Sequence, residues 1–155
     1  MRTREDLLFV GSQLLLFAGL AYDPWGPQFD YPTWLRVVGW LAMAVAPVVG
    51  VLALLQLGGS FTPWPSPRAG GDLVTTGVYQ WARHPIYACL IYFAMGLTIV
   101  TDSPWRGMMT GLLWLLFYYK SRYEERLLRE RFPDYGAYAQ EVRRFGGGLT
   151  PWSGK

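Results

Sequence analysis

The stretch Val37-Val-Gly-Trp-Leu-Ala-Met-Ala-Val-Ala-Pro-Val-Val-Gly-Val-Leu-Ala-Leu-Leu-Gln-Leu57 decides the fold. It holds no charge, and the charge-free run continues to Pro67. A transmembrane helix needs roughly 20 mostly apolar residues, and this run supplies them. Charge-free runs also extend over 7–22, 85–101 and 107–119. The whole chain has 155 residues, of which 52% are hydrophobic and 16% charged. A soluble domain of this size is usually about a quarter charged, so the deficit points to membrane.

Four spans fit, at about 7–22, 36–57, 85–101 and 104–122. The expected fold class is all-α: a polytopic integral membrane protein in one domain, with a cytoplasmic C-terminal helical extension. The first run follows Arg2 and Arg4 as a signal peptide would, but no clean small-residue cleavage site follows, so it reads as a retained helix. Pro104 suits the first position of the fourth helix, with Asp102 or Ser103 as its cap. Arg106 is expected to snorkel outward. Pro133 ends the amphipathic continuation of the fourth helix, and 135–144 reads as a short polar helix before a loose tail.

Basic residues give the orientation. Residues 23–34 and 101–104 carry no Lys or Arg, whereas Arg2, Arg4, Arg68, Arg83 and the segment from Lys120 onward are basic. The positive-inside rule then places both termini and the 58–84 loop in the cytoplasm of a multi-pass cell-membrane protein. The net charge of +3 is read as membrane orientation, with no nucleic-acid partner. A single cysteine, Cys89, excludes an internal disulfide and any cysteine-based zinc site, and one histidine makes no metal site; no metal is expected.

Two polar groups then stand at the cytoplasmic boundary. Arg83, His84, Pro85 and Tyr87 open the third span, and Glu124-Glu125 follows the fourth. Polar groups gathered beside apolar spans are a functional-site hypothesis by default. The bland alternative for the glutamates is a solvated helix face, with Lys120/Glu124 and Glu125/Arg129 as i,i+4 pairs. The start of the third span offers free backbone N–H groups and a positive dipole end to an anion. Tyr79, Trp81, Tyr87 and Tyr92 are either an interfacial aromatic belt or ring faces for an organic cation.

The ordered pattern Leu73-Val-Thr-Thr-Gly77-Val-Tyr79, Arg83-His-Pro-Ile-Tyr87, Glu124-Glu-Arg-Leu-Leu128, Phe132-Pro-Asp-Tyr135, Tyr138 and Val142-Arg-Arg-Phe145 resembles the isoprenylcysteine carboxyl methyltransferase and phospholipid methyltransferase superfamily. The resemblance covers about 58–152, with a cofactor region at about 73–152; the first two spans match only in character. Cys89 stands where the family often has glycine, and Phe132-Pro133 where it has Phe-Gly.

The resemblance implies an integral-membrane enzyme that uses S-adenosylmethionine without metal and methylates a lipid-like or prenylated acceptor among membrane lipids. It implies cofactor contacts at Tyr79, Arg83, His84, Pro85, Tyr87, Glu124 and Glu125. Arg83, Glu125 and Arg122 are the expected catalytic residues. Arg83, Lys120 or Arg122 would orient an anionic acceptor. A carboxylate acceptor needs no base, whereas an amine needs one, for which His84 and Glu125 are the candidates. Carboxyl O-methylation and amine N-methylation both stay open, as does a non-catalytic membrane protein that keeps the fold. Phe61, Trp64 and Trp81 are expected to cover the cofactor from the water side. Arg83 and Glu125 are expected at a solvent boundary.

Overall fold

A computed structural model describes residues 4–67 and 70–146. Arg2 and Arg68, two of the residues behind the expected orientation, lie outside the described residues, as do the tail beyond Gly146 and that part of the expected cofactor region. Among the described residues the chain is all helix and loop: α1 (Arg4–Ala21), α2 (Thr33–Leu57), α3 (Pro85–Val100), α4 (Pro104–Arg131) and α5 (Tyr135–Glu141). Short 3₁₀ turns occupy Gly58–Ser60 and Gly77–Gln80. By length and composition, α2 is the one described helix long and apolar enough to cross a membrane, and α3 is a shorter apolar helix.

The helices pack in the order α2, α3, α4, α1. The α2–α3 pair is close because small residues face each other. A Cβ on Gly96 would stand 2.6 Å from the Gly39 carbonyl oxygen, so no larger residue fits without separating the helices. Cys89 packs opposite Gly50, which leaves room for its sulfur. On the other side, Leu20, Ile91, Ala94, Met109, Leu113 and Phe117 form the core between α1, α3 and α4. Leu8, Leu15, Trp34, Trp40 and Leu55 face outward, an apolar surface suited to lipid. α1 packs on α4, and α2 packs on α3.

Loop residues tie the end of the bundle away from the site. Ser103 Oγ accepts from the Arg106 amide and is the cap of α4. Asp102 is occupied elsewhere: it accepts from the Tyr31 amide at 3.1 Å and pairs with Arg36 at 2.7 Å. Arg106 does not snorkel. It turns inward to the Leu20 carbonyl at 3.1 Å and lies 3.5 Å from Asp23, so it ties α4 to the end of α1.

At the opposite end, α4 runs to Arg131 and Pro133 follows it, as the sequence predicts. The short helix α5 spans only Tyr135–Glu141; Val142 is extended, and the carbonyls of Arg143 and Arg144 reach the start of α3. Gly77 has φ +61°, and a Cβ there would meet the Gln56 side chain at 2.4 Å. This glycine lets the Gln56 carboxamide oxygen accept from the Val78 amide at 2.9 Å, which fastens the turn before α3 to the end of α2.

Candidate active site

The backbone N–H groups of Arg83 and His84 donate to the carbonyls of Arg143 and Arg144 at 3.0 and 2.9 Å. This pairing seats the chain after α5 against the entrance of α3. Arg83 is then enclosed. Its Nε and Nη2 donate to Glu125 Oε1 at 3.1 and 2.9 Å. Its Nη1 donates to the Ala139 carbonyl at 2.6 Å and to that of Val142. Arg144 reaches the same carboxylate, Nε to Oε1 at 2.9 Å and Nη2 to Oε2 at 3.0 Å. His84 Nε2 adds a contact to Glu125 Oε1 at 3.2 Å.

Glu125 is therefore the hub of a buried ion cluster. It does not pair with Arg129 along its own helix, and the solvated-face reading fails for it. Burial alone would raise its pKa. The hydrogen bonds from His84 and Arg144 and the charges of His84 and Arg83 outweigh that and hold its carboxyl well below the usual carboxylate range. The side chains of Arg83 and Glu125 are 10% and 7% exposed, so the expected solvent-boundary position is corrected: both are interior.

Glu124 has a different environment. Its Oε2 accepts from Tyr87 Oη at 2.9 Å and lies 3.7 Å from His84 Nδ1. No hydrogen bond among the described residues reaches its Oε1. Burial raises its carboxyl pKa, and the Glu125 charge adds to that, opposed by the His84 and Lys120 charges and by the Tyr87 hydrogen bond. Glu124 lines two adjoining cavities of about 160 and 90 Å³, which also share Leu57, Thr62, Tyr79, Arg83 and His84.

The rings of His84, Tyr87 and Phe117 stack in parallel from the mouth of α3 inward, with centroids 5.4 and 4.7 Å apart. Tyr79 is buried beneath the 3₁₀ turn; its carbonyl accepts from Tyr138 Oη and its own hydroxyl donates to the Ala53 carbonyl at 3.3 Å. Tyr135 is 1% exposed, lines the smaller cavity, and its hydroxyl has no hydrogen-bond partner among the described residues.

Seven of the eight residues singled out from the sequence thus converge: Tyr79, Arg83, His84, Pro85, Tyr87, Glu124 and Glu125. Arg122 does not join them. It is exposed, its guanidinium lies 5.8 Å from the Tyr118 ring centroid, and it lines neither cavity. The guanidinium that reaches the cluster instead is Arg144, which sequence reasoning missed along with Gln13, Tyr135 and Tyr138. Arg144, Tyr135 and Tyr138 were visible in the motif, but nothing there assigned them a place.

Trp81 and Tyr92 also stand apart, in an apolar groove between α2 and α3. Of the three expected covering aromatics, Phe61 lines the larger cavity. Arg83 has its Nε, Nη1 and Nη2 engaged within the protein, so it is a poor candidate to orient an acceptor. Glu125 has both oxygens engaged and is a poor candidate for a base.

Comparison with known proteins agrees with this architecture. The phospholipid methyltransferase family model matches residues 34–135, which takes in α2 as well as α3, α4 and the paired glutamates. The cobalt-zinc-cadmium resistance protein CzcN of Cupriavidus metallidurans is 30% identical over 98% of this chain and 65% of its own length. A probable protein-S-isoprenylcysteine O-methyltransferase of Oryza sativa is 31% identical over 75% of this chain and 63% of its own length. The solved structure of the eukaryotic intramembrane Ras methyltransferase, isoprenylcysteine carboxyl methyltransferase, superposes with a TM-score of 0.67 at 24% identity. The match covers 94% of this chain and 53% of that one, and it shows a shared fold. The chain spans about half to two thirds of the length of the relatives it matches. With its ordered motifs, its helix order and the family match pointing the same way, the chain belongs to the isoprenylcysteine carboxyl methyltransferase and phospholipid methyltransferase superfamily.

Proposed function

We propose that the protein is an S-adenosylmethionine-dependent methyltransferase of the membrane, acting at the cytoplasmic face on a lipid-like or prenylated acceptor. In this reading α1 to α4 span the bilayer, both termini are cytoplasmic, and the cavities around Glu124 receive the cofactor. The observation that carries it is the division of labour between the two glutamates. Glu125 is consumed by Arg83 and Arg144, while Glu124 keeps an open oxygen at the junction of two cavities.

The residues fit the cofactor. A half-buried carboxylate with an unused oxygen suits an ammonium or a pair of ribose hydroxyls. The unpartnered Tyr135 hydroxyl offers one more hydrogen bond. The N–H groups of Ile86 and Tyr87, in the first turn of α3, are free of intrahelical partners and suit a carboxylate. The faces of Tyr79 and Tyr87 suit a sulfonium.

When bound, the cofactor supplies an electrophilic methyl group. The protein's own part is placement. The Arg83–Glu125–Arg144 cluster fixes the entrance of α3. The stack of His84 and Tyr87 holds one wall, and Phe61, Thr62 and Pro63 exclude water from above. Leu57, Ile86 and Leu90 give the larger cavity an apolar lining, which supports entry of a lipid-like acceptor sideways from the bilayer.

The test is incubation of the reconstituted protein with methyl-labelled S-adenosylmethionine and a total membrane lipid extract. A labelled lipid-extractable product is expected, and calorimetry should give a one-to-one complex that survives a chelator. A protein that only keeps the fold would show neither. Absence of both results overturns the reading.

A further inference from the structure

We propose that Asp6, in the first turn of α1, is a positioning residue for the site: through Ser66 it holds residues 60–67 closed over both cavities and so retains the bound cofactor. The inference rests on the cofactor reading of those cavities. It gives α1, which lies outside the residues matched by the family model, a part in the site.

Residues 60–67 border both cavities. Phe61, Thr62 and Pro63 line the larger one, and Ser60, Thr62 and Pro67 the smaller. The sequence there is Thr62-Pro-Trp-Pro-Ser-Pro67. Each proline fixes its own φ and restricts the residue before it. The segment is therefore a stiff strap, and a hold on Ser66 near one end sets the place of Thr62 at the other.

Asp6 supplies that hold. It is 1% exposed, and its Oδ1 accepts from the Ser66 amide at 3.2 Å. The Ser66 hydroxyl lies 2.8 Å from each carboxylate oxygen and donates to them. Pro65, the neighbour of Ser66, is fully buried. The Pro63 carbonyl is held in turn by Lys120 Nζ at 3.3 Å. Lys120 lines the larger cavity, so its role there is not confined to the strap. Asp6 lines neither cavity, so it reaches a ligand only through the strap.

An acid in the first turn of a helix also favours the helix dipole. Glu5, exposed in the same turn, already meets that need. Burying a carboxylate is costly unless it is hydrogen-bonded. A buried carboxylate spent on a loop serine 60 residues away exceeds what a helix end requires. Phe61 and Pro63 are exposed on the outside of the strap, with the cavities beneath it. A charged, water-soluble ligand arrives from that outer side. Release of Ser66 lets it in or out, and the restored bond keeps it.

The test uses the full chain in phosphatidylcholine nanodiscs. Amide hydrogen exchange is followed, and release of labelled S-adenosylhomocysteine is timed after dilution into unlabelled ligand. Loss of hydrogen bonds to a charged group predicts that Asp6→Ala speeds exchange at the Trp64 and Ser66 amides about tenfold or more, with α3 and α4 unchanged. The bound ligand should leave this variant severalfold faster than the parent. A variant that is merely less stable would bind ligand in fewer molecules but release it at the parent's rate. Ser66→Ala removes the hydroxyl from the loop side, leaves α1 intact and should also speed release; it carries the test if Asp6→Ala does not fold. Ser66→Thr keeps the hydroxyl and should keep the parent's rate. Release at the parent's rate from every folded variant among Asp6→Ala and Ser66→Ala overturns the proposal, as does release from Ser66→Thr as fast as from Ser66→Ala. Exchange and release together separate the two readings. If the ligand binds the parent and leaves the variants no faster, only this inference fails. If no ligand binds the parent while Asp6→Ala still loosens the strap, the cofactor reading fails.

Discussion

Arg83 and Glu125, 42 residues apart in the chain, are joined by two hydrogen bonds of 3.1 and 2.9 Å from one guanidinium to a single carboxylate oxygen. Both side chains are interior. The pair therefore belongs first to the integrity of the site and only through that to turnover. Removing one member of a buried pair leaves the other unpaired, which typically costs about 3–5 kcal/mol. Glu125→Gln and Arg83→Ala should each lower the melting temperature of the detergent-solubilised protein markedly. Melting curves that match the parent would return both residues to the surface role expected from sequence.

Glu124→Gln should behave in the opposite way. The substitution removes a charge from a half-buried position that has only a tyrosine hydroxyl as its close hydrogen-bond partner, so stability should change little. Affinity for S-adenosylmethionine should fall by roughly tenfold to a hundredfold, the worth of about 1.5–3 kcal/mol for a hydrogen bond to a charged group. Calorimetry on the folded variant gives the answer. Unchanged affinity would remove Glu124 from the cofactor site.

Tyr135→Phe deletes the hydroxyl that has no partner. An unsatisfied buried polar group costs about 1–3 kcal/mol, so the variant should melt at the same temperature as the parent or higher. Its affinity for S-adenosylhomocysteine should drop severalfold. A variant that is less stable and binds normally would mean that the hydroxyl serves the fold alone.

Acid should release the cluster. The Glu125 carboxyl is held below its ordinary value of 4.5, so its contribution to stability is complete above that value. It is lost as pH falls below 4.5 toward the folded-state value, because the unfolded chain then binds the proton first. The stability gap between the parent and Glu125→Gln should be constant from neutral pH down to about 5 and narrow below it. A gap that stayed constant into strong acid would show that the carboxylate charge contributes nothing.

Orientation is tested with a single thiol. Asp30 is fully solvent-facing, in the loop between α1 and α2. In a Cys89→Ser background, Asp30→Cys should react with an impermeant maleimide only from the side opposite the cytoplasm. Labelling from the cytoplasmic side would reverse the whole topology.

The helices were legible in the sequence because long charge-free runs mark them, and Pro85, Pro104 and Pro133 marked ends that the structure keeps within a residue or two. The motif residues were legible as a set because they flank those runs on one side. Their partners were not. Spacing along a helix suggests only i,i+4 neighbours, so it offered Arg129 for Glu125 and Glu124 for Lys120. The structure pairs them instead with Arg144 from beyond α5 and Gln13 from α1. Arg122 was misplaced for the same reason. At about 100° per residue, two steps from Lys120 turn it to the far side of α4, over Tyr118 and away from both cavities. Trp81 and Tyr92 look like site aromatics in a one-dimensional list, but Trp81, just before α3, and Tyr92, on it, line the apolar groove against α2.

The pairing of Arg83 and His84 with the carbonyls of Arg143 and Arg144 also sets an order of events during synthesis. A ribosome that has released residues up to Arg131 has already made α1 to α4. Glu125 at that moment lacks Arg144, and the entrance of α3 lacks its backbone partner. The site is thus completed only by residues made after all of α1 to α4. A chain at that stage already has Arg83 for Glu125 but neither Arg144 nor the carbonyls that hold the start of α3, so a helix bundle can be complete while its site is still open.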